Sequence, residues 1–529
     1  MKAEYLNLVS VGRNSVIYLI IIGVGGLLIR MYYFPYGVPL RNDGLDYLSY
    51  AALTSQLGHF PEGWLLANNL WPAFLSIFFY FFGTDNFLDF VYIQRIVSVV
   101  LSVLTIIPLY FLCNRFFDKK LSLIGATMFA FEPRVILNSL LGITEPLFLL
   151  LGTTSLFFFL SNDRKALYIS FFVAGLFSLV RYEGLLLVIP YSIMYFVRFK
   201  KERKFLRTYF LLLAIFILVL LPMAYIRLET GGKDGLFSHI SAGPSYIIQH
   251  VVEGRPDPVG IDWIDTIQEN REFHFFMKGL INFTKYIGFI SIPFFLLIVP
   301  FGIFKIITKR EYKKTTIILV TLTFLIPSFY AYARDFQDIK YLLIIYPILC
   351  LLSLFTFNKI FDVLRKRRVF MFFLISCILI SSLIYLNYKD LDYRHEIESF
   401  SIAKMVVSKA SGINYYSESS YTKVAEVANK WPVISPPDFG GHVIRNIIRI
   451  STDDAKFAEE YIEKSKEKGL THIVVDGFHE AAFLNDIFYN DEKYPYLIKE
   501  YDSFDDGFIY HVKIYRIDYE IFDKFMRSS

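Results

Sequence analysis

Charge and cysteine are both scarce in this chain. Of its 529 residues only 19% are charged, where an ordinary soluble domain carries about 25%. Three residues are cysteine, and Cys113, Cys350 and Cys377 all lie inside apolar runs. Neither a disulfide framework nor a zinc spacing can be built from them. The nine histidines lie outside those runs with no HExxH or related spacing, which argues against a histidine metal site. The net charge of +5 is small for this length, and the basic residues sit in short loops, which argues against nucleic-acid binding. No internal repeat or inverted symmetry is visible, which weakens a transporter reading.

The excess is apolar: 55% of residues are hydrophobic and 18% aromatic. They fall in runs of about 17–25 residues up to residue 388, the length that crosses a hydrocarbon core of about 30 Å. Eleven spans are expected near 14–34, 91–113, 121–138, 144–160, 166–180, 183–197, 208–226, 284–304, 315–332, 341–357 and 369–388. The run 166–197 is too long for one span and is split at "RYEG". The first run is not a cleavable signal peptide, because no small-residue cleavage site follows it.

Loop charge orients these spans. Lys2 and Arg13 precede the first, and the loops "NRFFDKK", "SNDRK", "RFKKERKFLR", "KIITKREYKK" and "NKIFDVLRKRR" are all basic. All of them fall on the side of the N-terminus when eleven spans alternate, as the positive-inside rule requires. The expected chain is therefore a multi-pass cell-membrane protein with a cytoplasmic N-terminus. Residues 1–388 form a polytopic α-helical membrane domain with outer loops 35–90 and 227–283. From 389 the charged residues return. The amphipathic "DDAKFAEEYIEKSKEKG", the run "THIVVD" and the run "FIYHVKIYRI" predict a soluble extracytoplasmic α/β domain over 389–529. In the first outer loop, "DYLSYAALTSQLG" and "LWPAFLSIFFYFFG" read as helices along the membrane surface.

Sorting ionisable residues by side gathers an outer set. Asp43 and Asp46 follow the first span, Arg134 lies in "FEPRV" and Glu145 in "TEPLF". Arg181 and Glu183 occupy one turn, and Arg334, Asp335, Asp338 and Lys340 another. Charges at membrane depth cost about 2.5–3.5 kcal/mol on insertion scales, so such groups usually line a wet cavity or bind something. Carboxylates suit a general base or a cation; Arg and Lys suit a phosphate.

The stretches "DGLDYLSYA", "WPAFLSIFFYFFG", "TEPLFLLL", "GLFSLVRYEGLLLVIP" and "KYLLIIYPIL", in this order, resemble the GT-C superfamily of polytopic glycosyltransferases. That superfamily includes protein O-mannosyltransferases and the aminoarabinose transferase that modifies lipid A. The resemblance implies a polyprenyl-phosphate sugar donor and an acceptor hydroxyl on a protein, lipid or glycan, with inversion at the anomeric carbon. Asp43 matches the family's acceptor-side Asp. Gly44 stands where many members have Glu, leaving Asp46, one helical turn on, as the second carboxylate. Arg181, Lys340 and Arg334 are the expected phosphate ligands, with Glu145, Arg134 and Glu183 lining the cavity. Lys340 stands where Arg is usual, so it would act as a point charge rather than a bidentate fork. No resident cofactor is expected, and a divalent cation stays open. The loop stretches "GPSYIIQH" and "RPDPVGIDW" are expected to cap the cavity, and "NFT" at Asn282 offers a glycan-acceptor tripeptide.

Three other readings compete. An oligosaccharyltransferase would carry Trp-Trp-Asp in its soluble domain, where this chain has "NKWPVISPPDFGG". A lipid-linked glycan transporter would show mid-span polar residues, and a non-catalytic scaffold would tolerate loss of Asp43.

Overall fold

The computed structural model describes residues 13–255 except 65, 67, 84 and 85, residues 270–389 except 309, 310, 365 and 366, and residues 392–528 except 410–413, 420–446, 453, 454 and 477–481. Two compact units emerge. The first holds 1–34, 60–75 and 94–390; the second holds 35–59, 76–93 and 391–529. Parts of the loop 35–90 thus group with the C-terminal region, a division that no run of composition announces.

Among the described residues, seven helices are long and apolar enough to cross a membrane: Arg13–Tyr32, Phe87–Cys113, Tyr182–Phe199, Phe205–Gly231, Tyr312–Ala333, Ile339–Val363 and Arg367–Tyr388. The other four expected spans are shorter or broken helices. The run at 121–138 divides into Lys119–Ala130 and Pro133–Ser139, because Pro133 has no N–H to continue the ladder. The run at 284–304 divides into Arg271–Ser291 and Val299–Thr308 around Pro293. The remaining two are Glu145–Phe159 and Arg164–Val180, of 15 and 17 residues.

The first unit is sewn together by buried polar groups. The Arg30 guanidinium, 0% exposed, donates to Gly26 O at 2.8 Å, Ala130 O at 2.9 Å, Ser102 Oγ at 3.0 Å and Ser139 Oγ at 3.2 Å. A buried cation is tolerable only with its donors satisfied. Ala130 ends its helix, where carbonyl dipoles favour positive charge. The turn ahead of Glu145 is pinned in the same way. Trp71 Nε1 and Gln94 Nε2 donate to Gly142 O at 3.2 and 2.6 Å, and Arg95 Nε donates to Leu140 O at 3.0 Å.

The second unit contains a five-stranded sheet of order β2-β1-β3-β5-β4. Its strands are β1 Asn414–Ser417, β2 Ile447–Ile450, β3 His472–Asp476, β4 Leu497–Asp502 and β5 Val512–Ile517. β1 runs parallel to β2 and β3, while β5 runs antiparallel to β3 and β4. Central β3, "HIVVD", is buried along its whole length, with Ile473, Val474 and Val475 forming an apolar middle, as in a covered sheet. Ile462, Phe483, Ile487 and Phe522 on the flanking helices complete that core. The expected helix, "THIVVD" strand and closing strand are all present. The helix Asn42–Leu57, which carries Asp43 and Asp46, belongs to this unit.

Candidate active site

Four of the sorted charges of the first unit meet at a small recess lined by Glu145, Arg181, Glu183, Lys340, Tyr341 and Ser328 together with Phe148, Phe324 and Leu149. Glu145 opens the helix Glu145–Phe159 with Pro146 at its first turn, where the helix dipole favours a carboxylate. Its Oε2 accepts from Thr144 Oγ1 at 3.3 Å.

Arg181 sits where the helix Arg164–Val180 stops in an extended residue (φ −149°, ψ 130°) and a 3₁₀ turn, Tyr182–Leu187, begins. The turn folds tightly against the helix it leaves. A Cβ on Gly184 would stand 2.8 Å from Phe177 Cδ1 and from the Ser178 backbone, so only glycine fits. Lys340 occupies an equivalent place. Asp338 Oδ1 accepts from its backbone N–H at 2.8 Å and starts the 3₁₀ turn Ile339–Ile345, which leads into the helix Tyr346–Val363. Ser328 Oγ holds that turn by donating to Tyr341 O at 2.6 Å.

Arg181 is clasped by two carboxylates. Its Nη1 donates to Glu145 Oε1 at 2.6 Å, its Nη2 to Glu183 Oε1 at 2.8 Å and its Nε to Glu183 Oε2 at 3.4 Å. All three side chains are largely buried, at 12%, 3% and 14% exposure for Arg181, Glu145 and Glu183. Phe148 lies 5.9 Å from the guanidinium and stacks on Phe177 at 3.9 Å. With Lys340 the two cations and two acids of the recess sum to no formal charge.

The structure brings four predicted residues together, Glu145, Arg181, Glu183 and Lys340, and leaves others elsewhere. Arg134 does not line the recess. It pairs with Glu132 at 3.5 Å, donates to Ile292 O and lies 4.6 Å from the Tyr385 ring. Arg334 does not line it either. Its guanidinium stacks 4.0 Å from the Tyr246 ring and 4.9 Å from that of Phe336. Asp43 and Asp46 lie in the second unit.

Of the expected loop cap, Tyr246 and His250 in "GPSYIIQH" pack on each other at 4.7 Å. In "RPDPVGIDW" the residues after Arg255 lie outside the described residues, as does "NKWPVISPPDFGG". A contact that sequence reasoning missed is His239, whose ring stacks on Tyr182 at 4.9 Å. Burial and nearby Arg227 push its pKa below the ordinary histidine value. Phe148, Tyr341 and Ser328 were also missed, since apolar and hydroxyl residues within spans carry no signal until neighbours are known. Asn282 is a correction: its amide is 7% exposed and donates to Tyr332 O at 3.1 Å and Asp335 Oδ1 at 3.0 Å, so it is a structural residue. Among the described residues no group of three or more His, Cys, Asp or Glu is placed to hold a metal ion.

The oligosaccharyltransferase of Archaeoglobus fulgidus, in its complex with Zn and sulfate, superposes with a TM-score of 0.59 at 14% identity, over 87% of this chain and 68% of that one. The same archaeal enzyme with an inhibitory peptide and a dolichol-phosphate gives 0.57 at 13% identity, over 88% and 69%. This chain has a GT-C fold. Residues 70–226 also match the family described as dolichyl-phosphate-mannose-protein mannosyltransferase. That stretch holds Glu145, Arg181 and Glu183 but neither Asp43 nor Lys340. No curated protein matches the chain. With this fold and its apolar helices the chain is a multi-pass membrane protein.

Proposed function

We propose that the protein transfers a hexosyl or pentosyl group from a polyprenyl-phosphate donor to an acceptor hydroxyl at the extracytoplasmic face, inverting the anomeric carbon. One observation carries the reading: in a GT-C fold, Arg181 and Lys340 share an otherwise largely apolar recess with Glu145 and Glu183. A phosphate on a lipid stem needs that combination of cations and apolar wall. The mannosyltransferase-family match and the dolichol-phosphate bound to the archaeal relative support a lipid-linked donor.

In this mechanism Arg181 and Lys340 hold the lipid phosphate and offset the charge that builds on it as its bond to the sugar breaks. Glu145 and Glu183 orient the Arg181 fork. Asp43 takes the proton of the acceptor hydroxyl as that oxygen attacks the anomeric carbon, help worth about 10²–10⁴ in rate. Asp46, one turn along the same helix, orients the acceptor. The reading assigns Arg334 and Arg134 to structure, because their guanidinium groups are spent on Tyr246 and on Glu132 and Ile292 O. In this reading the N-terminus is cytoplasmic and the sheet extracytoplasmic, an orientation that the basic loops support. The acceptor is a protein, lipid or glycan of the cell envelope, and no resident cofactor is proposed.

The test uses the full chain in lipid with a radiolabelled polyprenyl-phosphate hexose and a membrane extract, with and without chelator. Label should move to acceptor with wild type and not with Asp43→Asn. Donor that binds but stays intact with both proteins would point instead to a transporter or a scaffold.

A further inference from the structure

The turn that presents Asp43 is held in an uncommon backbone shape. Arg41 is extended (φ −120°, ψ 155°), and Asn42, the first residue of the helix Asn42–Leu57, is left-handed at φ 43°. Gly44 N donates to Arg41 O at 3.0 Å, closing the turn. Asparagine tolerates this region better than most non-glycine residues, and residues held there cluster at functional sites.

The surroundings here come from residues more than 350 positions away. The Arg41 guanidinium pairs with Glu396 on the helix Arg394–Lys409. Glu396 is 8% exposed, and its Oε2 has no hydrogen-bond partner, so the carboxylate depends on that cation for its charge balance. The same helix is tied to the sheet. Glu398 Oε2 accepts from Tyr510 N at 2.6 Å, Tyr510 donates its hydroxyl to Asp476 at the end of β3, and the His395 ring stands edge-on to Tyr510 at 4.0 Å. A second tie joins Phe400 to Phe87, whose rings lie 5.4 Å apart. All of these residues belong to the second unit.

We propose that the Arg41–Glu396 ion pair is a positioning device through which the C-terminal region sets the Asp43 turn. Neither residue touches the reacting atoms. The pair fixes the backbone two residues before the base, and with it the direction in which that carboxylate points. This rests on the reading of Asp43 as general base, and it gives the C-terminal region a catalytic reason to be present.

The experiment compares wild type, Arg41→Glu, Glu396→Arg and the double swap, each as the full chain in lipid. Transfer from a radiolabelled polyprenyl-phosphate mannose and amide hydrogen exchange are both followed. A displacement of about 1 Å can cost about 10²-fold in rate, so each single variant should slow transfer at saturating donor by about 10- to 100-fold. The donor concentration for half-maximal rate should stay put, because the donor's proposed phosphate ligands lie in the other unit. Exchange at 42–50 should quicken while exchange at β3 does not, and the swap should restore both readouts. Single variants exchanging like wild type at 42–50, loss of protection at β3 as well, or a swap that recovers nothing would each overturn the proposal. If wild type transfers no label, mannose falls as the transferred sugar, and the exchange data still decide whether the pair sets the turn.

Discussion

Removing Arg181 tests the physical account of the recess most directly. In Arg181→Gln the carboxylates of Glu145 and Glu183, 3% and 14% exposed, lose a shared cation that meets them at 2.6 and 2.8 Å. A buried ion pair adds little net stability against an apolar substitute, but breaking one by removing a single partner costs about 3–5 kcal/mol, because a charge is left buried and uncompensated. Here two carboxylates lose the same ion-pair partner. The expected loss therefore lies at the upper end of that range. Thermal unfolding of the full chain in lipid should report it as a clear fall in midpoint, since about 1 kcal/mol moves Tm by about 2–4 °C in domains of 150–250 residues. The double variant Arg181→Gln, Glu183→Gln should recover part of the loss by removing one orphaned charge. Arg181→Lys should fall between them, because an ammonium cannot reproduce the fork that reaches both acids. An Arg181→Gln protein that melts with wild type would refute the reasoning, showing that the acids need no cation.

Other outcomes follow from the same geometry. Asp43→Asn should lower transfer by about 10²–10⁴ with the melting midpoint unchanged, measured by label transfer beside thermal unfolding. Gly184→Ala pushes a methyl to 2.8 Å from Phe177 and Ser178 and should destabilise by about 1–3 kcal/mol, the usual cost of overpacking, read from the same melting curves. Intact-mass measurement on protein from its native membrane should find no glycan at Asn282, whose amide is buried and hydrogen-bonded. Burial raises the Asp335 pKa, but hydrogen bonds from Lys278 and Asn282 outweigh it and hold the carboxyl below the ordinary range. A depressed carboxyl stabilises the fold above its unfolded value of about 3.9 and loses that contribution as pH falls through the folded value. The stability gap between wild type and Asp335→Asn should therefore be open at neutral pH and close in acid.

Sequence alone determined what short-range physics controls. The membrane character follows from run length and the scarcity of charge, and the sheet strands from patterns such as "THIVVD". The convergence of Glu145, Arg181, Glu183 and Lys340 was also legible, because alternating spans force certain turns to one side. Sequence could not tell which charges at that level are spent on one another. Arg334 and Lys340 stand six residues apart, yet one lies over Tyr246 and the other lines the recess. Pro133 and Pro293 break two runs that hydropathy reads as continuous, since hydropathy counts side chains and not backbone donors. Only the tertiary structure put Arg41 beside Glu396 and grouped the Asp43 helix with the sheet. A contact across more than 350 residues leaves no periodicity in either segment, because it depends on how the whole chain folds back and not on local pattern.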